Sequence, residues 1–131
     1  MIKLLVFLLI IGGVAFNYSN PSASNSLEDV ISAMDGRNVN QLSGYFDKVV
    51  EITLHSRTNT YSKSQTEVIL KDFFHSYKVK TFEILHKESA NNSAFCVGNL
   101  GTRYGDFRTT IYMKNRSHKL LIQEISITEP D

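Results

Sequence analysis

The stretch FEILHKES, residues 82–89, sets a histidine in an alternating pattern in which Phe82, Ile84 and His86 share one side of a strand and Glu83 and Lys87 the other. An imidazole held there could carry a proton near neutral pH, contact a ligand, or simply be hydrogen-bonded in place. Its one evident strand partner is Glu88, two residues on and on the same side. In residues 107–114, Phe107, Thr109, Ile111 and Met113 alternate with Arg108, Thr110, Tyr112 and Lys114. In residues 120–128, Leu121, Gln123, Ile125 and Ile127 alternate with Leu120, Ile122, Glu124 and Ser126. Taking the more apolar set as inward leaves His86, Thr109 and Gln123 as the polar groups of the inner face, and Asn99 joins them if Phe95 and Val97 point inward. These four are the candidate ligand contacts, few polar groups in an apolar lining; they could equally satisfy one another. Acid–base chemistry in such a lining calls for a positioned carboxylate or a His–Asp pair. His86 is therefore expected to be structural first, a ligand contact second and a general base last.

Other chemistry is thinly represented. His75 lies between Phe74 and Ser76, roughly opposite the apolar side of a helix, and is expected in solvent; His55 and His118 fall at strand ends or turns. No histidine pair has metal-ligand spacing, and neither a glycine-rich phosphate loop nor a nucleophile elbow occurs. Cys96 is the single cysteine. It excludes an internal disulfide and multi-cysteine metal sites, and its place between Phe95 and Val97 predicts a small buried apolar residue. The expectation is a chain that uses no metal and no cofactor.

The elements that would hold these residues can be read from period and punctuation. SLED at 26–29 reads as a capping box, followed by Leu27, Val30, Ile31 and Met34 at helical spacing until Gly36. A short helix is predicted over 40–46, a strand over 49–54 and another over 58–61. Ser64-Gln65-Thr66-Glu67 reads as a second capping box opening the main core helix, with Val68, Ile69, Leu70, Phe73, Phe74 and Tyr77 as its apolar stripe. Strands over 81–87, 94–102, 107–114 and 120–128 follow, separated by SANNS, YGD and NRSH. Helices first and hairpin-linked strands after predict an α+β fold, an antiparallel sheet curled around helices on one face. Gly98 and Gly101 lie where a bulge would bend the sheet, and a bulge flips the alternation beyond it.

The first residues, MIKLLVFLLIIGGVAF, combine Lys3, an apolar run from Leu4 to Ile11 and a small-residue exit. That is the pattern of a signal peptide over residues 1–15, since a spanning helix needs about 20 apolar residues. Residues 16–26, rich in Asn, Ser and Pro, read as a flexible leader, and 27–131 as one domain. Cleavage removes only Lys3 among charged groups and leaves 13 basic against 13 acidic residues. A neutral domain has no general attraction for nucleic acid or for an anionic membrane once the signal peptide is gone.

Taken together, the order of elements resembles the nuclear-transport-factor-2-like α+β cone that ketosteroid isomerase and scytalone dehydratase share. The segments VILKDFFHSY, FEILHK, Gly98-x-Leu100, RTTIYMK and LLIQEISI resemble a family of small exported bacterial domains of unknown function, over roughly residues 27–128. The resemblance implies a cone with a ligand cavity at its open end and no assigned catalytic residues; the periplasmic or extracellular location is expected from the signal-peptide pattern. The resemblance also implies pairing of two subunits through the outer sheet face. Leu85, Arg108, Tyr112, Leu120 and Ile122 are the expected homodimer contacts, a mixture suited to an interface. The favoured function is a noncatalytic exported domain binding a small apolar or amphipathic molecule or a protein partner. The alternative is an isomerase- or dehydratase-type enzyme with His86 as base and Asn99, Thr109 or Gln123 polarising the substrate. A cone filled by Phe82, Phe107 and the core-helix aromatics would favour a partner-binding surface over a pocket.

Overall fold

The computed structural model describes residues 23–130; the expected signal peptide, residues 1–15, and residues 16–22 of the expected leader lie outside them. Helix α1, Ala23–Asp35, buries Leu27, Val30, Ala33 and Met34 along one side. It begins three residues before Ser26, so residues 23–26 of the expected leader are helical and Ser26 is not the cap. Gly36 closes the helix, its N–H donating to the Ser32 carbonyl at 2.8 Å. Helix α2, Val39–Ser43, is capped by the Asn38 side chain, which accepts from the Gln41 N–H. It is shorter than predicted, because Phe46 already starts a strand.

That strand, β1 (Phe46–Leu54), pairs with β2 (Arg57–Ser62) through the two-residue loop His55–Ser56, both at positive φ. Helix α3, Lys63–Tyr77, is the core helix, and its capping box is built from Ser62 and Gln65 rather than Ser64 and Glu67. Ser62 is still extended, the last residue of β2, and this fixes the start of the helix two residues earlier than predicted. Thr66, Leu70, Phe73 and Phe74 are buried along α3, whereas Val68 is 67% exposed and drops out of the expected stripe.

Strands β3 (Val79–Ser89), β4 (Ser93–Thr102), β5 (Gly105–Arg116) and β6 (Lys119–Thr128) complete one six-stranded sheet in the order β2-β1-β6-β5-β4-β3. Every neighbouring pair is antiparallel except β1 with β6, which run parallel. The turn of the last hairpin is Ser117–His118, both left-handed. The helices cover one face of the curved sheet, and the core fills the space between: Val50, Ile52, Phe82, Cys96, Leu100, Phe107, Ile111, Met113, Ile122, Ile125 and Ile127 meet the apolar sides of the helices. Among the described residues no helix is long and apolar enough to cross a membrane.

Candidate functional site

Two β-bulges decide which side chains the cone contains. In the β3–β4 ladder Ile84 faces Gly98 but His86 faces Val97, so one extra residue, Leu85, is inserted in β3. A one-residue insertion reverses the alternation beyond it. Phe82 is buried on the inner face, but His86 emerges on the outer face, 58% exposed, with its ring 5.6 Å from that of Phe95 and its Nε2 3.6 Å from Glu88 Oε1. The inward placement of His86 is thereby corrected, while its pairing with Glu88 holds in geometry. Lys87 takes the inner side instead and pairs with Glu28 on α1.

The second bulge lies in β6. Tyr112 faces Glu124 and Met113 faces Ile122, which leaves Gln123 as the extra residue. Upstream of it the alternation is opposite to the predicted one: Leu120 and Ile122 are buried in the core at 7% and 0% exposure. They cannot serve as outer-face dimer contacts. Leu85, Arg108 and Tyr112 do lie outside the core, Leu85 56% exposed. Gln123 is also not a cone residue; its Nε2 donates to Asp47 Oδ2 at 2.8 Å, and Arg116 Nε stands 3.2 Å from the same oxygen. Burial pushes the Asp47 carboxyl up, but the hydrogen bonds from Gln123 and the Lys48 N–H, with the Arg116 charge, outweigh it and hold the group below its ordinary value. These residues border a shallow cleft of about 380 Å³ with Tyr112 and Lys114.

In β4 the buried residues are Ala94, Cys96, Gly98 and Leu100, so Phe95, Val97 and Asn99 belong to the outer face. Asn99 sits there in register between Glu83 and Arg108. Burial pushes the Cys96 thiol up to about 11, which makes it a packing residue rather than a nucleophile.

Of the four candidate contacts, only Thr109 points inward. It is fully buried and its hydroxyl has no hydrogen-bond partner among the described residues. A buried hydroxyl without a partner is destabilising, and removing it without changing side-chain shape should relieve that cost. Thr109→Val is expected to raise stability by about 1 kcal/mol in urea denaturation.

Rings pack together where α3, β5 and the β1–β2 turn meet. Phe73 and Tyr77 of α3 stack at 4.5 Å, Phe107 of β5 stands edge-on to both at 5.5 and 5.2 Å, and His55 from the β1–β2 turn covers them at 5.6–6.2 Å. The His55 Nε2 and Tyr77 hydroxyl lie 3.0 Å apart, in hydrogen-bond contact. On the inner face, Phe82 fills the space over Gly98, where an added Cβ would meet its ring at 2.5 Å. The sequence places His55 at a strand end or turn, and nothing in its local spacing signals that it packs against the rings of α3. Clefts open elsewhere: one of about 580 Å³ lies beside Asp29, Tyr45, Asn91 and His118, where the Tyr45 hydroxyl donates to Asp29. That hydrogen bond, with burial, pushes the Tyr45 phenol up to about 12. Among the described residues no group of three or more His, Cys, Asp or Glu could hold a metal ion.

The outer face is composed differently from the predicted one. His86, Phe95, Val97, Thr110 and Tyr112 form its centre, and Glu83, Glu88, Arg108, Lys114 and Glu124 surround it. Phe95 and Val97 are new members, placed there by the bulge in β3 and the burial pattern of β4.

The profile of the family described as Domain of unknown function (DUF4783) matches residues 27–128. A crystal structure of a DUF4783 family protein from Bacteroides uniformis superposes with a TM-score of 0.76 at 28% identity, covering 79% of this chain and 96% of that one. One from Bacteroides ovatus gives 0.74 at 27% identity, covering 79% and 94%. An NTF2-like protein of unknown function from Cytophaga hutchinsonii gives 0.62 at 6% identity, covering 83% and 90%, a likeness of fold alone. A search of curated proteins returns no match.

Proposed function

The chain belongs to the DUF4783 family, an NTF2-like fold, and from that premise we propose that it is an exported, noncatalytic binding domain that meets a protein partner through the outer face of its sheet. One observation carries the reading: aromatic rings fill the interior where α3, β5 and the β1–β2 turn meet. The polar groups that would have oriented a ligand are dispersed. His86, Asn99 and Gln123 lie outside the core, and Thr109 alone of the four is inside, with no hydrogen-bond partner among the described residues. An isomerase-type mechanism would need its base beside the substrate, and His86 is on the other side of the sheet. The outer face instead offers half-buried Phe95, Val97 and Tyr112 ringed by charges of both signs. Aromatic anchors within a mixed polar rim suit a protein, whereas nucleic acid or an anionic membrane would call for a basic surface. Export rests on MIKLLVFLLIIGGVAF, whose pattern is that of a cleaved signal.

Native mass spectrometry of the protein purified from an exporting host tests this directly. The expected species has the mass of residues 16–131, or of a cleavage site close by, without added organic mass. A small molecule retained in stoichiometric amount would overturn the filled-interior reading, and an uncleaved N-terminus would overturn export.

A further inference from the structure

The two edges of the sheet are treated differently. At β3 the exposed backbone is occupied by side chains from the end of α1: Arg37 Nη1 donates to the Lys80 carbonyl at 2.6 Å, and Asp35 Oδ1 accepts the Phe82 N–H at 3.0 Å. The Leu85 bulge then bends the rest of that edge, and Lys80 and Lys87 flank it. Lysines, bulges and covering side chains are the usual means of keeping an edge from pairing with another chain.

On β2 such cover is confined, among the described residues, to the last residue, Ser62. The two-residue loop makes Leu54 and Arg57 a hydrogen-bonded pair, so Arg57, Asn59 and Tyr61 turn their backbone groups to β1, and Thr58, Thr60 and Ser62 turn theirs outward. Ser62 is spoken for, its N–H bonded to Gln65 and its carbonyl to the Thr66 hydroxyl. The N–H and C=O of Thr58 and Thr60 have no partner among the described residues. From Thr58 to Ser62 the edge has no charge and no proline, and Thr58, Asn59 and Thr60 are exposed.

We propose that β2 pairs antiparallel with β2 of a second copy of this chain about a two-fold axis at Asn59, joining two sheets edge to edge. The register is set by which groups are free. Thr58 exchanges both backbone hydrogen bonds with Thr60 of the second copy, Thr60 does the same with Thr58, and Asn59 faces Asn59. Arg57 then falls opposite Tyr61 of the other copy, on the side where Tyr61 lies next to Val50, a cation–aromatic pair repeated by symmetry. An isologous contact of this kind closes at two copies. It keeps the expected homodimer but moves it from the outer face to the edge, which leaves that face open on both copies. With four backbone hydrogen bonds and two side-chain pairs the dimer is weak, with a dissociation constant on the order of 100 μM.

Sedimentation equilibrium on the mature protein from micromolar to millimolar concentration reads the assembly. Wild type and Thr60→Val should both pass from monomer to dimer, since valine keeps the backbone groups. Thr60→Pro should stay monomeric throughout: proline removes an N–H that faces the edge and not β1, a position strands tolerate, and an unchanged circular dichroism spectrum checks the fold. A wild type monomeric to millimolar concentration overturns the proposal, as does a dimer that survives Thr60→Pro. Amide chemical shifts of the wild type give a second reading that needs no variant: those of Thr58 and Thr60 should move with concentration. Movement at Phe95, Val97 and Tyr112 instead would place the contact on the face and overturn the edge.

Discussion

Gly98→Ala is expected to lower stability by about 3 kcal/mol, near the upper end for overpacking a tight interior, and to bring the thermal midpoint down by about 12 °C. A Cβ at residue 98 would lie 2.5 and 2.6 Å from Cε1 and Cζ of Phe82 and 2.9 Å from the Glu83 carbonyl oxygen. A flexible side chain could swing away from such a contact; here neither neighbour can. Phe82 is 5% exposed within the core, and the carbonyl belongs to a strand paired with β4 on one side and held by Asp35 at the Phe82 N–H. Gly98 also stands opposite Ile84, the last inward residue before the bulge. Moving it disturbs the register that sends His86 outward and Lys87 inward to Glu28, so the effect should extend to the α1 contact. Urea denaturation of the variant measures the loss. A change below about 1 kcal/mol would mean that the Phe82 ring has room the structure does not give it.

The same bulge explains what the sequence could and could not disclose. Strand existence was legible for β3 through β6 because turn residues punctuate clear runs, and the α+β class followed from the order of elements. Face assignment was legible only as far as the alternation ran unbroken. In β5 it does, and Thr109 is inward as expected. In β3 the pattern fails at Leu85, and a flipped His86 looks in sequence just like an inward one. In β6 the run Leu120, Leu121, Ile122 is apolar on both faces, so period two could not choose, and Gln123 as the inserted residue inverted the choice for Leu120 and Ile122. Gly98 was the available signal: an interior strand glycine marks close approach or a bulge, though in this case the bulge is in the strand opposite. The capping residue of α3 was ambiguous for a different reason. Ser62-x-x-Gln65 and Ser64-x-x-Glu67 are both valid boxes, and only the pairing of Val49 with Ser62 in the β1–β2 ladder settles which one the helix uses. The packing of His55 on Phe73 and Tyr77 joins a turn to rings about two helical turns and more into the following helix, a contact no local period encodes.

Phe107→Ala should cost about 4 kcal/mol, the range for deleting a buried ring together with its aromatic contacts. Phe107 is 6% exposed and touches Phe73, Tyr77 and His55, so its removal takes away the ring on which the others converge. The loss separates two accounts of the filled interior. If the rings are core, stability falls by the full amount; if they are a loosely closed lid over a working pocket, the loss should be under about 1 kcal/mol. Thr109 gives an independent check, because it lies two residues along β5 on the same inner face. Its hydroxyl has no partner among the described residues, and Thr109→Val is expected to stabilise. Removing Phe107 opens the interior beside the exposed His55 and Tyr104, and water entering there can hydrogen-bond the hydroxyl. The valine should then confer no advantage, so the two changes combine with a coupling of about 1 kcal/mol, within the range for residues sharing a cavity. Strict additivity would mean that the space left by Phe107 stays dry or collapses, and that Thr109 is isolated from that space.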